Sequence, residues 1–101
     1  MNNNNKILVS VYIPVIEEKY DVFIPIGRKV KKIIHLASKA IADLSTNYTP
    51  ELSLKNLYNK ATGDMYDPET IIKDTDIKNG TKLILFCELG LKPKAVAIVI
   101  V

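Results

Sequence analysis

The hydrophobic period of this chain changes once, at Gly27, and that change limits the folds open to it. Before Gly27 the apolar residues alternate. Ile7, Val9, Val11 and Ile13 share one parity, while Leu8, Ser10 and Tyr12 hold the other. After an interruption at Pro14–Glu18, Tyr20, Val22, Ile24 and Ile26 alternate against Lys19, Asp21, Phe23 and Pro25. Alternation sends successive side chains to opposite faces, so each run reads as a strand with one apolar face. Two such runs so close in sequence form a hairpin. Pro25 has no N–H to give a ladder, which assigns the second strand to a sheet edge. Beyond Gly27 the spacing becomes helical. Val30, Ile33, Ile34, Ala37, Ile41 and Leu44 fall in one stripe, about 100° wide, as a core-facing amphipathic helix requires. The helix is expected from about Arg28 to Leu44, with Lys31, Lys32, His35, Lys39 and Asp43 outside the stripe.

The remaining segments are shorter. Ser45–Glu51 has loop chemistry, and a short strand is expected around Leu54–Asn59. The stretch ATGDMYDPET is rich in turn residues, with Asp67–Pro68 suited to start a turn. Asn79–Gly80 signals a tight turn. Leu83, Leu85 and Cys87 then alternate against Ile84, Phe86 and Glu88 in a last strand. The first and last strands are the most hydrophobic, so both belong in the middle of the sheet, and the helix stripe must cover one face. The expectation is a two-layer α+β domain with a mixed sheet of four to five strands. The 101 residues suit one such domain. It is expected over 6–90, after a disordered polar lead at 1–5 and before an apolar tail at 91–101 that offers an extra strand.

The crossover TIIKD, followed by IKNG and LIL, resembles the corresponding part of the ubiquitin-like β-grasp superfamily. The resemblance covers about Ile7 to Phe86. It implies that Ile72 and Ile77 dock beneath the sheet and that the glycine turn feeds a central strand. Within that superfamily the chain is similar to the YukD/EsaB group, small bacterial proteins associated with type VII secretion. The likeness rests on the junction IPIGRKVKKIIHLA, on the turn Ile77–Leu83, and on a C-terminus without Gly-Gly. It implies a cytoplasmic accessory or regulatory component that binds secretion-system proteins. A ubiquitin-like modifier or sulfur carrier is the alternative, and its activated carboxylate requires a Gly-Gly end where this sequence has Ile98–Val101. The other alternative is the soluble ubiquitin-like domain of a membrane secretion component.

Composition narrows the chemistry. With 48% hydrophobic and 25% charged residues the chain is globular in type. A formal charge of +3 is mild, and the basic residues are spread without interleaved aromatics, so no nucleic-acid partner is expected. Cys87 is the single cysteine, which excludes an internal disulfide and suits the cytoplasm. MNNNNK lacks the apolar segment of a signal peptide. The longest apolar run is Ala95–Val101, against the ~20 residues a membrane-spanning helix needs. His35 has no second histidine to join it, and Cys87 lies on the apolar parity of its strand, so neither metal nor cofactor is expected. The acids Glu17, Glu18, Asp64, Asp67, Glu69, Asp74 and Asp76 sit in turns, where solvation and capping account for them. No enzyme is expected.

Two surfaces remain as candidates. Arg28, Lys29, Lys31 and Lys32 crowd the start of the helix, where the dipole disfavours cations by about 0.3–1 kcal/mol each at low salt. They point to an anionic or acidic partner. The second surface is the sheet face turned away from the helix. By parity it carries Tyr12, Phe23, Ile84 and Phe86, together with Leu57 or, in the other register of its strand, Tyr58. Since the first and last strands are neighbours, Tyr12, Ile84 and Phe86 should cluster as a protein-binding site. The tail LKPKAVAIVIV has the composition of an edge-pairing strand, which leaves intramolecular docking, a partner, or a homodimer exchanging tails as its expected roles.

Overall fold

The computed structural model describes residues 5–49 and 53–87. Strands β1 (Lys6–Ile13) and β2 (Glu18–Pro25) form the hairpin. Its four-residue loop closes with Ile16 N–H donating to the Ile13 carbonyl at 3.2 Å and Glu17 N–H to the Pro14 carbonyl at 3.1 Å. That loop length pairs Ile13 with Glu18, and so Val11 with Tyr20, Val9 with Val22 and Leu8 with Phe23. Helix α1 (Val30–Leu44) follows, then β3 (Leu54–Asn59), a short 3-10 turn at Ile72–Asp74, and β4 (Lys82–Cys87). The strand order is β2-β1-β4-β3. β1 and β4 run parallel in the middle, and each pairs antiparallel with an outer strand. Pro25 therefore sits on an edge strand, where its missing N–H costs no ladder bond.

The helix lies across one face of this four-stranded sheet. Val9, Val11 and Ile13 from β1, Leu83 and Leu85 from β4, and Val30, Ile33, Ile34, Ala37 and Ile41 from the helix are all buried together. Every buried side chain among the described residues is apolar. Burying each such aliphatic side chain is worth roughly 1.5–3 kcal/mol, so this layer supplies most of the drive to fold. The long crossover from β3 to β4 is mostly polar, and it is pinned to the core by Ile72 and Ile77, with 0% and 6% of their surface exposed, and by the partly buried Tyr66. Gly80 then takes φ +89°, a backbone state that a side chain with a Cβ resists, and turns the chain into β4.

Two sequence expectations are corrected. Leu57 does not lie on the open face: it is buried, with 2% exposure, and it pairs with Leu85. A register irregularity between Leu54 and Asn56 inserts Lys55 as an extra residue. Leu54 and Leu57, three apart, therefore both face the helix, and Tyr58 takes the open side. Leu44, assigned to the buried stripe, is 70% exposed because it ends the helix at the margin of that stripe. The expectations for the 1–5 lead concern residues 1–4 chiefly. Those residues, the Cys87 side chain and the 91–101 tail lie outside what is described.

Candidate interaction surface on the open sheet face

The pairing registers arrange the open face in rows across the strands. One row runs Lys19, Tyr12, Ile84, Tyr58, since Tyr12 is paired with Lys19 and Ile84, and Ile84 with Tyr58. Phe86 lies one step along β4, opposite Asn56, and meets Tyr58 edge to face with ring centroids 5.2 Å apart and planes at 88°. This geometry sets the positive ring edge against a negative ring face, worth about 0.5–1.5 kcal/mol beyond area burial. Tyr12, Tyr58, Ile84 and Phe86 are each half-buried, and no described helix or strand lies over them. Tyr12, Ile84 and Phe86 are thus brought to one end of the face as expected, with Tyr58 in the place assigned to Leu57.

Phe23 does not join them. The hairpin register sets it opposite Leu8, and Gly80 N–H donates to the Leu8 carbonyl at 2.8 Å. A polar row of Asp21, Ser10 and Lys82 separates this pair from Tyr12 and Ile84. Phe23 is 67% exposed and Leu8 40%. The sequence put Leu8 on the parity of Ser10 and Tyr12 but did not name it as a site residue, because parity does not show what lies beside it. The loop length between β1 and β2 was the signal that would have placed it beside Phe23.

The cluster at the helix start is also rearranged. The main-chain N–H groups of Val30 and Lys31 donate to the carbonyls of Thr70 and Pro68, at 2.9 and 3.0 Å. The crossover turn thus caps the helix in place of a side chain at Lys29. The same turn supplies Glu69, which accepts from Lys29 Nζ at 3.1 Å and Lys31 Nζ at 2.8 Å. Hydrogen bonds from Lys31 and then Lys29 hold the Glu69 carboxyl below its ordinary pKa. Glu69 therefore partly offsets the cations that seemed uncompensated in sequence, and the helix N–H groups that would hold an anion already have partners. Arg28 and Lys32 stay exposed, with no carboxylate partner among the described residues.

Two polar clasps hold the frame of the open face. Tyr66 donates its hydroxyl to Asp76 Oδ1 at 2.6 Å and accepts from Asn59 Nδ2 at 2.9 Å, joining the crossover to the end of β3. Burial, and then the bond to Asp76, push the Tyr66 phenol up to about 12. Glu18 accepts from the Tyr20 hydroxyl at 2.5 Å and from Asn47 Nδ2 at 2.7 Å, tying β2 to the loop after the helix. The Tyr20 bond is the main cause of its lowered pKa. His35 is exposed on the helix, and among the described residues no three of His, Cys, Asp or Glu group as metal ligands. No helix among them is long and apolar enough to cross a membrane.

No protein-family model matches the sequence, and no curated protein matches it significantly. Solved structures do. The ubiquitin-like domain of an Arabidopsis thaliana protein superposes with a TM-score of 0.56 at 19% identity, over 82% of this chain and 78% of that one. A protein designed on the basis of ubiquitin gives 0.62 at 13% identity, over 85% and 93%. The fold is ubiquitin-like. A chain of the MycP5-free ESX-5 inner membrane complex also matches the ubiquitin-like domain, with a TM-score of 0.63 at 13% identity, over 80% of this chain and 20% of that one. At these identities the likeness is one of backbone architecture: a helix gripped by a mixed sheet.

Proposed function

We propose that this ubiquitin-like domain is a non-catalytic interaction module, and that its partner binds the open sheet face at Tyr12, Tyr58, Ile84 and Phe86. The observation that carries this reading is the juxtaposition of those four side chains in adjacent register positions. Tyrosine brings a large rigid surface with a polar end, which suits a patch that is wet when free and dry when bound.

The partner we propose is a component of a bacterial type VII secretion system, with the chain acting as a cytoplasmic accessory of the YukD/EsaB kind. Two observations support it: the junction and turn quoted from the sequence, and the backbone likeness to one chain of the ESX-5 inner membrane complex. A second reading is favoured by the same likeness. The match spans a fifth of that ESX-5 chain, so the domain also fits as the soluble ubiquitin-like part of a larger membrane component.

The test is affinity capture from the native cell with the wild-type chain and with Tyr12→Ser and Ile84→Ser variants that keep their circular dichroism. A secretion ATPase or another secretion component should come down with the wild type and be lost with both variants. Equal capture by all three would remove the open face from the mechanism. Finding the chain covalently joined to another protein would replace the module by a modifier.

A further inference from the structure

The opposite end of the open face carries a second constellation, which the proposed function leaves unused. Lys60, Lys78 and Lys82 line an open groove of about 600 Å³ where the end of β3 meets the turn into β4. Lys60 N–H donates to the Lys82 carbonyl at 2.9 Å, so the two side chains are register neighbours, and Lys78 enters from the turn, its own N–H held by Thr81 Oγ1 at 2.9 Å. All three lysines are exposed, and none is in ion-pair contact with a carboxylate of the described residues. Among the described residues Asp76 is the one acid that lines the groove, and its Oδ1 already accepts the Tyr66 hydroxyl. This is the reverse of the helix start, where Glu69 takes two lysines. Here three lysines without a carboxylate partner among the described residues line one groove.

An apolar site adjoins it. Leu8 and Phe23, the exposed pair of the hairpin, line a second groove that meets the first at Gly80. A Cβ built at Gly80 would meet nothing within 4 Å, so the ridge between the two grooves is low and open. From Phe23 on β2 to Lys60 on β3 the path crosses three strand spacings, roughly 15 Å, which about five residues of extended chain would cover.

We infer that this strip binds a short acidic segment of a partner protein. The segment lies extended across the strands, with one leucine or phenylalanine against Leu8 and Phe23 and two or three carboxylates among Lys60, Lys78 and Lys82. The asymmetry of the strip selects this occupant. A free phosphate would use the lysines and leave Phe23 without a role. A bilayer would engage Leu8 and Phe23 by insertion, whereas the registers place them beside the lysines across neighbouring strands, within reach of one short extended segment. Asp21 and Ser10 lie between the Leu8–Phe23 pair and Tyr12, whereas Lys82 is the same-face neighbour of Ile84 on β4, so the Tyr12→Ser variant is what separates this inference from the function proposed for that cluster.

The test uses the full chain and a set of fluorescein-labelled nine-residue peptides. Each has one leucine or phenylalanine followed, after three to five residues, by three glutamates. A matched set has glutamine in place of glutamate. Binding to the acidic set should be roughly tenfold tighter than to the neutral set and should fall with added salt, as expected for a few exposed charge pairs. Lys60→Gln with Lys78→Gln, and separately Phe23→Ser, should each weaken it several-fold without changing circular dichroism. Tyr12→Ser should leave it unchanged. The inference is overturned if no acidic peptide binds, if the neutral peptides bind equally, or if Phe23→Ser has no effect. Competition by inorganic phosphate as strong as by the acidic peptide would make this a free-anion site. Capture by phosphatidylserine vesicles of the wild type but not of the lysine variant, without peptide binding, would make it a lipid contact.

Discussion

The two faces of the sheet are written on the same strands in alternating letters, yet they are made of different material. The covered face of β1 and β4 is Val9, Val11, Ile13, Leu83 and Leu85, all aliphatic and at most 3% exposed. The open face of the same strands is Leu8, Ser10, Tyr12, Lys82, Ile84 and Phe86, a mixture of apolar, polar, aromatic and charged residues. A buried layer has to fill space without unpaired polar atoms, and branched aliphatic side chains do that. An open layer has to tolerate water while keeping shape and charge available for contact, and this is the face on which the proposed recognition is placed.

The largest expected effect tests whether the two faces are as different as they look. Leu57 and Tyr58 are adjacent, on opposite faces, and both are large. Leu57→Ala should cost about 2–5 kcal/mol, the usual loss for a leucine removed from a packed core. Tyr58→Ala should cost about 1 kcal/mol, mainly its edge-to-face contact with Phe86. Urea denaturation of the two variants measures both. Equal losses would mean that Tyr58 is core and that the open face is closed by something.

Next in size are two changes where the polar crossover joins the sheet. Gly80→Ala places a Cβ at φ +89° and should cost about 1–2 kcal/mol through backbone strain, since the space around it is empty. Tyr66→Phe removes the bonds to Asp76 and Asn59 and should cost about 0.5–1.5 kcal/mol. The second effect has a pH signature. The native phenol is raised from its ordinary 10.0 to about 12, so it holds its proton more tightly than the unfolded chain does. That contribution is complete below the ordinary value and is lost as pH rises from there through the native one. The gap between wild type and Tyr66→Phe should therefore narrow across that window, and a gap that stays constant would place the stabilisation elsewhere.

The contrast between the faces also explains what the sequence could and could not tell. Period alone located β1, β2, the helix and β4, because each keeps its apolar spacing over several residues, whereas the docking of Ile72 and Ile77 came from the resemblance of TIIKD and IKNG to the ubiquitin-like crossover, since Ile71 beside them is equally aliphatic. The sequence places strand β3 at its observed Leu54–Asn59 but leaves open which of Leu57 and Tyr58 faces the helix, because its two leucines are three apart, a spacing that fits neither face until Lys55 is taken as a bulge. The open-face cluster was legible for Tyr12, Ile84 and Phe86, since parity and strand order suffice. Parity put Phe23 on this same face, where the structure has it, but parity says nothing of position along the face, and the register sets Phe23 opposite Leu8. Pairing across long sequence distances was the hardest to see. Glu69 reaches Lys31 across 38 residues, and Lys60 becomes a neighbour of Lys82 only when β3 and β4 pair.

The smallest expected effect bears on that last point. Glu69 sits between Lys29 and Lys31 with all three side chains about half exposed or more, so water screens the interaction and its contribution to stability is slight. The main-chain bonds from Val30 to Thr70 and from Lys31 to Pro68 hold the turn against the helix without it. Glu69→Gln should therefore lower the melting temperature less than any change above, and only at low ionic strength. The Glu69 carboxyl is lowered from 4.5 by its lysine partners, so its contribution is present above that value and is lost as pH falls through the native one. The difference between wild type and Glu69→Gln should accordingly vanish in acid and in high salt. What the substitution should change more is charge: it releases two cations at the helix start while leaving Lys60, Lys78 and Lys82 untouched. If acidic peptides then bind the helix start as tightly as the sheet groove, Glu69 is what confines recognition to the open face. If they do not, the closed helix N-terminus and the shape of the groove decide the site, and charge alone does not.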